Sequence, residues 1–307
     1  SSNDQGPMRQ LVFLFSFALL VAPELAKAHG GGLNAEGGHF NRKTGEYHCH
    51  REPCFSNQES RLNLQKPNDP APVIGTLNQD DTCNGLLPYG VPSKGDHLLC
   101  RAAYSVGFDC SKRSAAWVAY RVSSEISDSA NVERSDDFRP DPELPQECRK
   151  ELFDFTGAYD RGHLASSETL DGSYRMNSET FLLSNMSPQL SGFNRAIWKG
   201  LENRERKWAY RRGELYVITG PVFAHQRGST VVMGRVPVPT HFYKVLFDPD
   251  EAQALSFLIP HRALKTASLG LFRSSIDEIE KVTGIDFLSG IDDNAEEQIE
   301  SKVSPMW

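Results

Sequence analysis

The stretch Tyr159-Asp160-Arg161-Gly162-His163-Leu164-Ala165 sets an acid, a guanidinium, a glycine and an imidazole side by side, and Asn194 and Glu202 follow about thirty residues later. An unperturbed imidazole titrates near neutrality, so His163 can take a proton from water. Arg161 can hold a phosphate oxygen, Gly162 allows tight backbone geometry, and Asp160 can orient its neighbours by hydrogen bonding. The amide oxygen of Asn194 suits a hard cation such as Mg²⁺, and Glu202, leaning toward the helix N-terminus, can hold a metal-bound water. Arg206, four residues after Glu202, either pairs with that carboxylate or reaches a substrate. A base for water, a cation for the charge that grows on phosphate, and help for the departing oxygen are what phosphodiester hydrolysis requires.

Such groups need rigid carriers. Phe193, Ile197 and Leu201 recur at helical spacing, which predicts an amphipathic helix over 191–210. On a regular α-helix Asn194 and Glu202 stand roughly 12 Å apart along the axis and about 80° apart around it, so they cannot approach one ion equally. Strands are expected over 116–122, 181–183, 215–219, 241–247 and 254–259. Further helices are expected over 263–272 and 275–283, the last capped by Ser274 or Ser275. The sum is an α+β fold with a central, mostly antiparallel β-sheet flanked by helices.

The chain has 307 residues, 39% hydrophobic and 24% charged, which excludes collagen-like, coiled-coil and wholly disordered classes. Its net charge of −7 is unevenly placed. From Asp277 to Trp307 nine acids face two lysines, while Arg195 to Arg212 holds seven cations against Glu202 and Glu205. That basic helix is either a solvated face or a surface for a phosphate backbone. Near the start, Met8-Arg9, an apolar run from Leu11 to Ala22 and Ala26-Lys27-Ala28 read as a secretory leader over 1–28. The run is too short to span a bilayer, so no stable membrane anchor is expected, and the chain is expected to be secreted or periplasmic. An exported chain can use its six cysteines as bridges. Cys83, Cys100, Cys110 and Cys148 are expected to pair among themselves in one of three connectivities, and Cys49 and Cys54 either bridge locally or share a metal.

The linked motifs identify a relationship. The Asp160-to-Ala165 stretch is followed by Leu183-Ser184-Asn185-Met186-Ser187-Pro188-Gln189, Phe193-Asn194-Arg195-Ala196-Ile197-Trp198 and Leu201-Glu202-Asn203-Arg204-Glu205-Arg206. Val217-Ile218-Thr219-Gly220-Pro221-Val222-Phe223 and Val238-Pro239-Thr240-His241-Phe242-Tyr243-Lys244-Val245 come after them. In order and spacing, roughly Cys83 to Leu288 resembles the sugar-non-specific DNA/RNA endonucleases that include endonuclease G, within the ββα-metal or His-Me finger nucleases. The resemblance implies a ββα-metal fold and an endonuclease that uses Mg²⁺, with Mn²⁺ as a substitute, cuts DNA and RNA, and leaves 5'-phosphate ends. It implies His163 as general base, Asn194 as direct metal ligand, Glu202 in the metal's water shell and Arg161 on phosphate. Asn185 is implied as a supporting asparagine at the substrate and Arg134 as a further substrate-binding arginine, while Arg206 is a substrate-contact candidate from its place four residues after Glu202. Ser166 and Ser167 depart from the family, which often has proline soon after the histidine motif.

The resulting organisation is a leader (1–28), a His/Cys-rich module (29–56), a linker (57–81), the endonuclease domain (82–290) and an acidic tail (291–307). The module resembles short YHYH-type segments of exported bacterial proteins. Its His39, His48 and His50 either hold a transition metal or line a pinned loop that binds nothing. The tail is expected as a solvated extension or as a self-inhibitory mimic of nucleic acid. Two other functions fit the same chain: a nuclease-like protein that only binds nucleic acid, and a hydrolase whose metal sits on the N-terminal histidines.

Overall fold

The computed structural model describes residues 82–93, 95–124, 132–155, 157, 159–224 and 232–307, and two short strands nearer the N-terminus, β1 (Gly38–Phe40) and β2 (Tyr47–Cys49). The chain divides into two compact units, 1–63 and 64–307. In the first, β1 and β2 pair antiparallel with His39 opposite His48. The expected leader, the linker, His50 and the side chains of His39 and His48 lie outside the described residues.

The second unit is built on a sheet whose strands alternate side chains between two cores. Its strands are β3 (His97–Cys100), β4 (Tyr104–Asp109) and β5 (Ser114–Val122), then β8 (Leu215–Val222), β11 (His241–Asp248), β12 (Gln253–Pro260) and β13 (Arg273–Ser274). They lie in the order β13-β12-β11-β8-β5-β4-β3, every pairing antiparallel. β5 and β8 are neighbours, and Val122 pairs with Leu215 where the first ends and the second begins. The remaining strands form two small hairpins, β6 (Tyr159–His163) with β7 (Met186–Leu190), and β9 (Val232–Met233) with β10 (Val236–Pro237).

Period-two alternation sends Val118, Tyr120, Val217, Phe242 and Leu246 to one face, and Trp117, Ala119, Ile218, Tyr243 and Val245 to the other. After the short α1 (Tyr174–Glu179), the helix α2 (Lys199–Arg212) covers the first face, entered through a π turn at Phe193–Trp198. Phe193, Ile197, Trp198, Leu201 and Trp208 are its buried stripe. The second face is covered by α3 (Ile276–Thr283) and α4 (Asp293–Glu300) through Ile276, Ile279, Ala295 and Ile299. Ser275 opens α3 in a reciprocal capping box with Glu278. Two disulfides, Cys83–Cys100 and Cys110–Cys148, select one of the three connectivities. They close loops of 17 and 38 residues, each worth roughly 3–4 kcal/mol by loop-closure entropy.

Three expectations change. The strand expected over 181–183 is a turn into a 3₁₀ segment (Leu183–Asn185), because Leu183 and Asn185 bond Arg139 and Leu182 as the chain swings into β7. The helix expected over 263–272 is a 3₁₀ segment (Thr266–Phe272) in which Leu269 alone is buried and Leu271 is exposed, so no helical stripe holds an α-helix there. The acidic tail expected over 291–307 is instead part of the fold. Ile291, Ala295 and Ile299 recur every four residues and sink into the second core beneath the acids. Its end is tied down too: Trp208 Nε1 donates to the Trp307 carbonyl at 2.7 Å, and the Arg212 guanidinium lies 4.2 Å over the Trp307 ring.

Candidate active site

β6 and β7 pair with His163 opposite Met186 and Asp160 opposite Gln189, and the π turn and α2 follow directly, so hairpin and helix form one ββα unit. Two bonds fix it. Trp198 Nε1 donates to the His163 carbonyl at 3.1 Å, and the buried Lys150 Nζ donates to the Met186 carbonyl at 2.5 Å. Gly162 is required by space: a Cβ there would lie 2.2 Å from the buried Gln189 side chain, which crosses it from the partner strand.

Asp160 is the hub. Its Oδ1 accepts from Ser191 Oγ at 3.0 Å and Arg195 Nη2 at 2.8 Å, and its Oδ2 from Asn194 Nδ2 at 3.0 Å and Arg195 Nε at 2.9 Å. Burial alone would raise this carboxyl, but the bonds from Arg195, Asn194 and Ser191 and the guanidinium charge outweigh it and hold it below its usual range. A carboxylate only accepts, so the Asn194 NH₂ must face Asp160 and its amide oxygen is left over. This oxygen is hard, neutral and oriented, and it fits a divalent cation that keeps most of its waters. The π turn places it: a wider turn rotates the chain by less than 100° per residue, which shrinks the roughly 80° offset between Asn194 and Glu202 on a regular helix. Asp160, Arg161, Asn194 and Arg195 line a cleft of about 390 Å³ together with Phe138 and Tyr159.

His163 is framed by aromatic rings. Phe181 stands edge-on at 4.9 Å and Phe138 at 5.9 Å, and each carries an arginine on its face: Arg134 over Phe181 at 4.7 Å, Arg161 over Phe138 at 4.2 Å. Burial, with the Arg134 charge second, pushes the imidazole down to about 3. It is therefore neutral across the physiological range. Its Nε2 is shielded and has no hydrogen-bond partner among the described residues. Burial raises Glu202 to about 7, with Lys244 opposing, Glu205 adding to the rise, Arg206 opposing and Glu168 adding.

The other expected residues fall into two groups. Arg134 is half-exposed and steadied by Asp136 and Ser167, both at 2.7 Å. Asn185, expected at the substrate, is fully buried. Its Oδ1 accepts from Ala165 N and its Nδ2 donates to the Ala165 and Thr180 carbonyls, so it clamps the loop after His163. Arg206 pairs with Glu168 at 3.0 Å and Thr169 at 3.1 Å, tying α2 to that same loop, and not with Glu202. Sequence reasoning missed Arg195, Ser191, Phe138 and Phe181; of these only Arg195, adjacent to Asn194, carried a positional signal. His261 is structural, with one ring nitrogen accepting from Leu190 N and the other against the Pro239 carbonyl. Removing the hub should show its role: Asp160→Ala is expected to lower metal affinity about 10- to 100-fold, measured as the metal concentration at half-maximal cleavage.

Residues 84–294 match the family described as DNA/RNA non-specific endonuclease. The chain is 33% identical over 223 residues to Nuclease C1 of Cunninghamella echinulata var. echinulata, covering 67% of this chain and 88% of that protein. It is 31% identical over 274 residues to the mitochondrial endonuclease G of Caenorhabditis elegans, covering 81% and 89%. Among solved structures, a chain of the EndoG/EndoGI complex superposes with a TM-score of 0.62 at 28% identity, over 71% of this chain and 94% of that one. A ββα unit with His163 on its first strand and Asn194 at the start of its helix, together with this match over residues 84–294, shows that the chain belongs to the DNA/RNA non-specific endonuclease family.

Proposed function

We propose that this chain is an exported, Mg²⁺-dependent endonuclease that hydrolyses DNA and RNA with little sequence preference and leaves 5'-phosphate ends. The observation that carries the reading is the Asp160 hub, which holds Asn194 by its NH₂ and leaves its amide oxygen spare at the cleft, beside the hairpin that bears a neutral His163. His163 accepts the proton of the attacking water, and with Nε2 shielded, Nδ1 is the nitrogen left to take it. Arg161 and Arg134, held over the Phe138 and Phe181 rings that frame the imidazole, offer N–H groups to phosphate oxygens. Asn194 would hold the cation directly and Glu202 one of its waters. Bound there, a divalent cation supplies charge for the phosphorane-like transition state and for the departing 3' oxygen. Contacts to phosphates leave the bases unread, which accounts for low specificity and predicts salt-sensitive binding.

Export is supported by the leader-like start of the sequence and by the two disulfides, which belong to oxidising compartments. Among the described residues no helix is long and apolar enough to cross a membrane. The test is digestion of supercoiled plasmid and total RNA by the chain lacking its leader, in Mg²⁺ and in EDTA, beside Asn194→Ala. Smearing of both substrates that needs Mg²⁺ and is lost in the variant is the expected result. A folded protein that retards DNA on a gel without shortening it under any metal would replace the enzyme with a binding protein.

A further inference from the structure

Far from the hairpin, on the sheet face that α2 does not cover, three acids converge. Asp277 and Glu280 lie three residues apart on α3, hence on one side of that helix, and Glu300 ends α4. One carboxylate oxygen from each lies within 4.8 Å of the other two. Crowded surface acids alone carry little meaning, but Glu300 is not on the surface. It is 5% exposed, and its Oε1 is shielded from solvent with no hydrogen-bond partner among the described residues. Glu280 uses Oε1 to accept from Phe287 N at 2.9 Å. Asp277 is exposed.

The electrostatics make the arrangement costly as it stands. Burial raises Glu300 to about 9, and the charges acting on it, Glu280, Glu296, Asp277 and Asp286, are all acids that raise it further. Glu300 also sits at the C-terminal end of its helix, where the backbone dipole disfavours a negative group, and the last turn of α4 has no basic residue. A cation at the meeting point removes all three penalties. It would pair the unpartnered oxygen, cancel the repulsion and suit the helix terminus.

We propose that Asp277, Glu280 and Glu300 form a cation site, separate from Asn194, that takes a hard divalent ion, Ca²⁺ in preference to Mg²⁺, and clamps α3 to α4. Ligands made only of carboxylate oxygen exclude the softer transition metals. Ca²⁺ accepts irregular shells of six to eight oxygens, so three carboxylates and water on the exposed Asp277 side suffice, whereas Mg²⁺ demands a near-octahedral shell and sheds water reluctantly. Three carboxylates on two helices, without a dedicated loop, place the Kd at about 0.1–1 mM, the range of extracellular Ca²⁺ modules.

The experiment is thermal unfolding of the chain lacking its leader, in EDTA and in 10 mM of Ca²⁺ or Mg²⁺, for wild type, Glu300→Gln and Asp277→Asn. Ca²⁺ is expected to raise the wild-type Tm by about 3–10 °C. Glu300→Gln should raise Tm in EDTA, by removing the cost of burying an ionisable carboxyl among acids, and abolish the Ca²⁺ increment. Asp277→Asn, at an exposed position, should weaken Ca²⁺ at least tenfold in calorimetric titration. Plasmid cleavage in Mg²⁺ should be unchanged in both variants, so this site stands or falls apart from the nuclease reading. A Ca²⁺ increment equally large in Glu300→Gln, or no increment in wild type, would overturn the site, leaving a protonated Glu300 as the way the cluster is neutralised. An equal increment from Mg²⁺ would overturn the preference for Ca²⁺.

Discussion

Replacing His163 with alanine is expected to slow plasmid cleavage near neutral pH by about 10²- to 10⁴-fold, the usual worth of a positioned general base. The ring is boxed between Phe138 and Phe181, so its loss removes the proposed proton acceptor without disturbing the Asp160 hub on the same strand. The pH dependence separates this role from a merely structural one. Free imidazole takes up its proton near 6.5, whereas the folded ring resists to about 3. Between these values the unfolded chain binds a proton that the folded chain refuses, so this ring's contribution to stability falls as pH falls through the window. His163→Ala should show a shallower acid decline of Tm. In the proposed mechanism the acid limb of cleavage has another owner: burial holds Glu202 up to about 7, and its protonation below that pH would release the cation-bound water assigned to it. That limb should flatten in Glu202→Gln and stay in place in the residual activity of His163→Ala. A His163→Ala enzyme as fast as wild type would remove the histidine from the mechanism.

The second large effect is on stability. Lys244, on β11, and Glu205, on α2, form an ion pair at 2.5 Å with neither side chain exposed, and Tyr120 on β5 joins both: its hydroxyl donates to Glu205 at 3.0 Å and accepts from Lys244 at 2.9 Å. Trp198 lies 5.1 Å from the ammonium. This cluster is the polar rivet between the sheet and the helix that carries Glu202. Lys244→Met strands a buried carboxylate and is expected to cost about 3–5 kcal/mol, lowering Tm by roughly 10 °C. The double variant Lys244→Met/Glu205→Leu leaves no orphaned charge and should recover most of that loss, because an apolar pair of similar volume often replaces a buried ion pair at no cost. Urea denaturation of the two singles and the double measures the coupling. A double variant as unstable as Lys244→Met would show that packing, and not the stranded charge, sets the cost.

Local pattern carried much of this architecture. Strands such as β8 and β11 announce themselves by β-branched and aromatic runs, and α2 by Phe193, Ile197 and Leu201, because each buries one face and spacing records which. Asp160, His163, Asn194 and Glu202 stood out for a similar reason, since their types match a reaction, and the fold brings Asp160 onto Asn194 with His163 on the same strand. What stayed hidden depends on partners far along the chain. Asp160 meets Arg195 across 35 positions, and Asn185 reads as a polar loop residue until its amide closes on Ala165. Lys244 looks like the outward member of an alternating strand, and only the arrival of Glu205 across the core makes it an inward one. The π turn left no periodic trace, as one widened turn shifts the helix phase without breaking its apolar stripe. In the last seventeen residues the acids masked Ile291, Ala295 and Ile299, a helical stripe that was present all along.

The pairing of Val122 with Leu215 gives the molecule a modular logic. Arg134, Asp160, Arg161, His163, Asn185, Asn194, Glu202 and Arg206 all fall between those two residues, so the whole proposed site is spelled out inside one connection between adjacent antiparallel strands. In effect it is a hairpin whose loop has grown into an enzyme. Closing a loop costs only about 0.6 kcal/mol more for each doubling of its length, so the sheet tolerates this cargo almost as readily as a short turn. From outside, Lys244 holds the cargo by gripping Glu205, and the Cys110–Cys148 bridge ties it covalently. Such a segment enters and leaves the scaffold at a single point of register, yet Cys148 within it is bridged to Cys110, and Trp208 and Arg212 hold Trp307, so a receiving sheet must supply those partners as well as the buried lysine.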